Sequence, residues 1–242
     1  MLACLNVEGD PSMSFMLLTF APQELPLALR KLGQGAHVLQ IGAMDGVAFD
    51  PVHALVRTFG WRGALVEPMP DMFQALQKNY AGCEGLIFIN KAVTEYDGEI
   101  EMTRIDPQAI ADGLLPAGAL GISTMMPDRG LIGNTAGRMN AQEAELVERY
   151  KRVIRVPCCT METLLREQKI ERVDVLVIDT EGADWMVLRQ FPIDRFCPRV
   201  VYMEIDHLPQ KEKLECFAFL SKAGYQLRVD ELRENLLAER NV

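Results

Sequence analysis

Five short apolar runs recur along this chain: HVLQI (37–41), GALVE (63–67), LIFINKAV (86–93), VDVLVID (173–179) and RVVYMEI (199–205). Runs this short and this apolar read as strands covered on both faces. Between and after them lie segments with helix punctuation: DPVHALVRTFG (50–60), PDMFQALQKNYAG (70–82), GADWMVLRQF (182–191) and KEKLECFAFLSKAG (211–224). Pro51 and Pro70 sit in first turns, and Gly60, Gly82 and Gly224 close helices. Strands alternating with helices predict βαβ units, hence an α/β, doubly wound, mostly parallel sheet of the Rossmann-like kind. YQLRV (225–229) and NLLAE (235–239) predict an antiparallel C-terminal hairpin at the edge of that sheet.

The middle of the chain departs from this rhythm. EIEMTRI (99–105) and VIRVPC (153–158) read as strands. AQEAELVERYKR (141–152) reads as a helix with Glu145–Arg149 and Glu148–Arg152 pairs, and TMETLLREQ as a helix capped by Thr160. Residues 106–140 are rich in Gly, Pro and Met and show no period, as expected of a functional or mobile loop. We therefore expect a lead-in and the helix PQELPLALRKL within 1–35, and one domain over 36–242 with an insertion at 106–152.

With 49% hydrophobic and 24% charged residues, 242 residues bury a core without disulfides or structural metal. The net charge of −9 argues against nucleic acid as a partner. The early run FMLLTFA (15–21) is too short to span a membrane, and Glu8 and Asp10 stand where a signal peptide wants positive charge. The six cysteines form no C-x-x-C pair and there are three histidines, so no zinc site is expected. We read the cysteines as reduced and the protein as cytoplasmic.

In an open α/β sheet, ligands bind beyond the carboxyl ends of the strands. There the first strand delivers GAMDG (42–46), in which Gly42 and Gly46 permit a tight turn. The turn is not G-x-G-x-x-G and has no P-loop lysine; Asp45 would repel a pyrophosphate. Glu67 ends the second strand, 21 positions after Gly46, where a carboxylate can accept hydrogen bonds from both hydroxyls of a ribose. A cationic adenosine ligand without phosphate, such as S-adenosylmethionine, fits this pair of features.

VLQIGAMDG, ALVEPMPDMFQAL, FINKAV and VDVLVIDTEGADWMVL together resemble, in order, the motifs of FkbM-type S-adenosylmethionine-dependent methyltransferases. The resemblance covers roughly 36–105 and 153–240, and IDTEGAD is its most specific piece. It implies the class I methyltransferase sheet of about seven strands, and O-methylation of a hydroxyl on a sugar or natural-product small molecule. Gly42, Ala43 and Gly46 would line the methionine part of the cofactor, with Gln40 and Asp45 beside them. Glu67, with Pro68, would hold the ribose; Asn90, Ala92 and Val93 would lie near the adenine. Asp179 and Glu181 would face the methionine part or the acceptor. The chain departs from the family at Gln40, where an acidic residue is common, and at Met44, usually polar.

Transfer to an alcohol is helped by a general base. His207, beside Asp206, is the first candidate, and Asp179 and Glu181 are the next. His207 can also be read as a loop residue capping the following helix. Asp179, Glu181 and Asp206 offer oxygens that could hold Mg²⁺, a possible but not favoured cofactor, so no metal ligand is assigned. The GIST patch (121–124) and the methionines of the insertion, Met102, Met125, Met126 and Met139, are candidates for the acceptor side, and Arg129 and Arg138 for an anionic acceptor. Two other readings stay open: a domain that binds the cofactor without turnover, and a nicotinamide-dependent oxidoreductase.

Overall fold

The computed structural model describes residues 2–6, 14–21, 24–115, 119, 121–129, 140–232 and 234–240. Its main sheet contains β1 (Leu2–Asn6), β2 (Ser14–Phe20), β3 (His37–Ile41), β4 (Arg62–Val66), β5 (Leu86–Ile89), β10 (Val175–Ile178), β11 (Val200–Glu204), β12 (Gln226–Asp230) and β13 (Asn235–Glu239). A second sheet contains β6 (Ala92–Val93), β7 (Gly98–Ile105), β8 (Ser123–Thr124) and β9 (Lys151–Cys159).

In space the main sheet runs β1-β2-β12-β13-β11-β10-β3-β4-β5. β3, β4 and β5 are parallel neighbours, and β10 lies parallel to both β3 and β11. The chain thus winds outward from β3 to β5, then returns to β10 on β3's other side. The strand order reverses between β3 and β10, which is where such sheets open a crevice for ligand. The seven strands from β12 to β5 match in number the sheet of about seven strands that the resemblance implies. The C-terminal hairpin is antiparallel, as expected, but it is not the edge. β13 sits between β11 and β12, and β2 pairs in parallel with β12. With β1, this brings the sheet to nine strands instead of about seven.

Alternation along the strands sends side chains into two cores. Val38, Val175, Val177 and Val200 face α1 (Glu24–Arg30), α2 (His53–Phe59) and α3 (Pro70–Asn79). Leu39, Leu176, Ile178, Val201 and Met203 face α6 (Met161–Glu167), α7 (Asp184–Leu188), α8 (Ile193–Phe196) and α9 (Gln210–Lys222). All four residues of β10 are buried, as its continuous apolar run predicts. Thr160 caps α6 by accepting from the Thr163 amide, as read from the sequence.

The second sheet corrects the reading of the middle. LIFINKAV is not one strand: Asn90 turns its side-chain amide back to donate to the carbonyls of Glu67 and Pro68, at 2.8 and 3.0 Å. The chain leaves the main sheet there, and Ala92 pairs with Cys158 in the second. β7 and β9 pair antiparallel from Gly98↔Cys158 to Ile105↔Lys151. Two further helices among the described residues are α4 (Pro107–Ala111), capped by Asp106, and α5 (Ala141–Tyr150), opened by an Asn140–Glu143 capping box. α5 ends before Arg152, which lies in β9 and pairs with Asp106 at 3.0 Å, not with a helical Glu148. The buried Arg104 grips Asp71 through two bonds of 2.5 and 2.9 Å, tying this sheet to α3. Cys83, Cys158, Cys159, Cys197 and Cys216 form no disulfide. Among the described residues no helix is long and apolar enough to cross a membrane.

Gly63 lets β3 and β4 approach. Its φ is +129°, and a Cβ there would lie 1.9 Å from the Val38 carbonyl oxygen. Gly63→Ala should destabilise the fold by roughly 3 kcal/mol, because backbone must move to admit the methyl group. Gly60→Ala meets nothing within 4 Å. It should cost only its left-handed backbone strain, about 1 kcal/mol. Urea denaturation of the two variants checks the contrast.

Candidate active site

The glycine turn between β3 and α2 is fixed by its neighbours. The amides of Gly42 and Ala43 both donate to the Val66 carbonyl, at 2.9 and 3.0 Å. Gly42 lies so close to β10 that a Cβ would come within 1.7 Å of the Asp179 carbonyl oxygen. Met44 is left-handed, with φ 47°, and its amide donates to Glu67 Oε2 at 2.8 Å. Glu67 Oε1 accepts from the Met69 amide at 2.7 Å. Glu67 is 4% exposed. Burial pushes its pKa up to about 7, against the pull of those two amides and of Arg104.

A cavity of about 510 Å³ opens over the β3–β10 reversal. Its wall includes Gln40, Gly42, Ala43, Glu67, Pro68, Ala92, Val93, Asp179 and Glu181, all predicted site residues. Four others stand back from it. Asp45 accepts from the Val47 and Ala48 amides at 2.9 and 2.8 Å and so shapes the turn. Gly46 makes room for α3: a Cβ would meet Leu76 and Tyr80 at 2.5 Å. Asn90 is spent on the Glu67 and Pro68 carbonyls. His207 is buried behind the wall, where Pro209, not His207, is the residue at the N-cap of α9.

His207 Nε2 lies 3.1 Å from Glu181 Oε2 and 3.5 Å from Glu204 Oε1, and its Nδ1 lies 3.5 Å from Asp206 Oδ2. Burial opposes its charge, yet Glu181, Asp206 and Asp184 outweigh that and raise its pKa. Imidazole that holds its proton more tightly is a poorer base near neutrality. His207, the first candidate for the general base, lies behind Glu181, 3.1 Å from its carboxylate, and it is Glu181 that lines the cavity. Burial, then Asp179, Glu181 and Asp184, raise the pKa of Glu204. Asp179, an exposed residue of the cavity wall, is raised too, by the protein crowding round it and by Glu181 and Asp184. The trio with ligand atoms within 4.8 Å of one another is Glu181, Glu204 and His207, not Asp179, Glu181 and Asp206.

Glu181 is itself held in a left-handed conformation, φ 52°. Thr124, in the GIST patch, donates its hydroxyl to the Glu181 carbonyl at 2.7 Å. Arg129 donates to the Gly182 carbonyl and grips Glu212 with two bonds of 2.8 Å. Arg129 is thereby a brace rather than a free anion receptor. Met44, Met72, Met102 and Met125 form an apolar part of the wall. Trp185 packs edge-on against Phe219 and donates to Glu215, outside the cavity. The His53 ring packs at a tilt against Tyr80. Arg138 and Met139 lie outside the described residues.

Sequence reasoning passed over Asp50, Tyr202, Glu204 and Asn235, which also line the cavity. Glu204 could have been found, since it ends β11 on the same carboxyl edge as Asp179. Asp50 could not: it was read as the start of a helix, and only the fold carries it back over Gln40.

The raised pKa of Glu67 has a sign. Folded, it titrates near 7; its ordinary value is 4.5. Between those pH values the folded state keeps a proton that the unfolded chain has lost. This contribution to stability is full below 4.5 and declines as pH rises through 7, by roughly 3 kcal/mol in all. Glu67→Gln should flatten the fall in stability between pH 4.5 and 7.5, measured by chemical denaturation. Parallel wild-type and variant curves would refute the assignment.

The chain matches the family model of the methyltransferase FkbM domain over residues 40–227. No curated protein matches it. Among solved structures it is similar to methyltransferase FkbM from Methylobacillus flagellatus KT, at 12% identity and a TM-score of 0.49, over 85% of this chain and 43% of that one. It is also similar to precorrin-6y C5,15-methyltransferase from Geobacter metallireducens GS-15, at 10% identity and a TM-score of 0.44, over 90% and 87%. A third is a SAM-dependent methyltransferase from Thiobacillus denitrificans in complex with S-adenosyl-L-homocysteine, at 16% identity and a TM-score of 0.37, over 86% and 65%. This chain thus spans less than half the length of the first of these. The family match takes in the glycine turn, Glu67 and the Asp179–Glu181 loop, and the chain belongs to the FkbM methyltransferase domain family.

Proposed function

We propose that the cavity binds S-adenosylmethionine and that the chain methylates a hydroxyl of a small molecule, a sugar or a natural product. The observation that carries this reading is the residue make-up of the cavity wall, rich in carboxyl groups and poor in cations. Asp50, Glu67, Asp179, Glu181 and Glu204 all line it. Lys91 is the one Lys or Arg among the described residues of the wall, and it pairs with Glu167 at 3.2 Å. Such a wall offers the phosphates of NAD or ATP no unpaired cation, whereas a positively charged ligand would favour the ionised form of its carboxyl groups. It therefore disfavours the nicotinamide-dependent reading.

When bound, the cofactor supplies an electrophilic methyl group on a positively charged sulfur. The chain's own groups do the rest. Glu67 follows β4 beside the turn and keeps lone pairs for ribose hydroxyls beyond its two amide bonds. Ala92, Val93 and Met72 give a flat base an apolar bed. Glu181, strained and held by Thr124 and His207, is the carboxylate suited to accept the proton of an acceptor hydroxyl. His207 orients it and keeps it from being a lone buried charge. The methionines limit water at the acceptor side.

At a concentration about 100 times its dissociation constant, S-adenosylhomocysteine should stabilise the chain by about 2.7 kcal/mol. NAD and ATP should leave the melting temperature unchanged; a shift with NAD alone would overturn the reading. With a labelled methyl donor and a panel of hydroxylated small molecules, Glu181→Gln should lower turnover about 10²–10⁴-fold while S-adenosylhomocysteine still binds. Glu181→Gln turning over at the wild-type rate would remove Glu181 as the base.

A further inference from the structure

At the wall of the cavity the fold brings an imidazole and two carboxyl groups to one point. His207 Nε2 lies 3.1 Å from Glu181 Oε2 and 3.5 Å from Glu204 Oε1. Ligand atoms of the three residues all lie within 4.8 Å of one another. The three come from two separately fixed pieces of backbone. Glu204 ends β11 opposite Asn235 of β13, and the Ile205 and Asp206 amides that follow it both donate to the Glu234 carbonyl, at 2.7 and 3.1 Å. The Glu181 loop is pinned by Asp184, which accepts from the Thr180 and Gly182 amides at 2.9 and 3.0 Å. The trio is therefore held in place by its backbone before any ligand arrives.

Hydrogen bonding does not account for this cluster. His207 is 7% exposed, and its Nδ1 is buried with no hydrogen-bond partner. Glu181 Oε2 and Glu204 Oε2 are buried without one as well. At 3.1 Å, Nε2 is close to Glu181 Oε2 but is not aligned for a hydrogen bond. A proton on Nε2 has one direction and cannot serve both glutamates. Among the described residues no lysine or arginine pairs with Glu181 or Glu204. Buried oxygens left without a donor are costly, and a native site that keeps several implies a group that satisfies them together. A metal ion does so. Bonds of about 2.1 Å from one ion set neighbouring ligand atoms about 3.0–3.5 Å apart, which is the spacing around Nε2. Asp206 Oδ2 stands 3.5 Å from Nδ1, on the side where a metal-bound imidazole carries a carboxylate partner.

We propose that Glu181, Glu204 and His207 hold a divalent cation of the first transition series, of the Mn²⁺ kind. One imidazole with two carboxylates suits such an ion better than Mg²⁺ or Ca²⁺, which favour oxygen alone. Glu181 gives its buried Oε2 to the ion and keeps Oε1 for the proton of an acceptor. Both glutamates line the cavity, so the ion's remaining positions take water or an oxygen of a molecule bound there. A hydroxyl on such an ion ionises more readily. The site stands independently of which cofactor the cavity takes.

The test adds Mn²⁺ to the full chain after chelator treatment and dialysis. The electron paramagnetic resonance signal of free Mn²⁺ should report one ion bound per chain, and pulsed spectra of the bound ion should carry a single ¹⁴N coupling. Glu204→Gln should weaken binding at least about tenfold, the cost of losing even an outer partner of a metal site. His207→Gln should abolish the ¹⁴N coupling. Asp50→Asn removes a wall carboxyl outside the trio and should change neither readout. Should His207→Gln fail to fold, the wild-type coupling and Glu204→Gln decide the question. No binding, bound Mn²⁺ without nitrogen coupling, or equal weakening by Asp50→Asn and Glu204→Gln would overturn the site. S-adenosylhomocysteine binding, measured separately by calorimetry, tests the cofactor reading alone.

Discussion

The site depends on one buried carboxylate. Glu67 accepts one amide from the glycine turn and one from the start of the next helix, so β4, the turn and α3 are pinned to one another. Without the bond to its amide, the left-handed Met44 would lose the partner that offsets its backbone strain. Everything downstream inherits this placement. Gly42 can approach Asp179, the crevice opens between β3 and β10, and Asn90 can bend the chain out of the main sheet by bonding the carbonyls beside Glu67. The same residue is therefore structural and ligand-facing, and its elevated pKa follows from its burial, against the pull of the two amides it accepts.

The parallel half of the fold was legible because its signals are local. HVLQI, VDVLVID and RVVYMEI declare burial on two faces within a few residues, and each forms the expected strand. What escaped is set by partners distant in sequence. EIEMTRI and VIRVPC look like ordinary strands, and nothing local says that they pair with each other in a sheet of their own. The pairing of β2 with β12 joins residues near 18 to residues near 228. No periodicity in either segment encodes that. The break in LIFINKAV was hidden for a different reason: it is made by a side-chain amide reaching back to carbonyls in another loop.

The site shows the same division. The glycine turn, Glu67 and the Asp179–Glu181 loop were legible as the carboxyl ends of readable strands, and they converge on one cavity. Depth was not legible. His207 was favoured for its chemistry as a residue type, but the backbone after β11 carries it behind Glu181, among carboxylates that hold its proton. Asp50 looked like helix punctuation and is that, through one of its oxygens; the other accepts from Gln40 and Tyr80, in a residue that also lines the cavity. A sequence names such a residue without saying which way its second oxygen faces.

The insertion of β13 between β11 and β12 bears on how the chain acquires its fold. β11 pairs with no part of the chain that precedes β10, so its outer edge stays open until residues 235–239 arrive. On a ribosome, the crevice-forming strands β3, β4 and β10 are synthesised well before the strand that seals their neighbour. An unpaired apolar edge on a nascent chain is a template for wrong partners. The sheet's largest sequence separations are also settled last, which raises contact order and slows folding. Chaperone demand during synthesis should therefore concentrate in the interval between β11 and β13, and not at the ligand site.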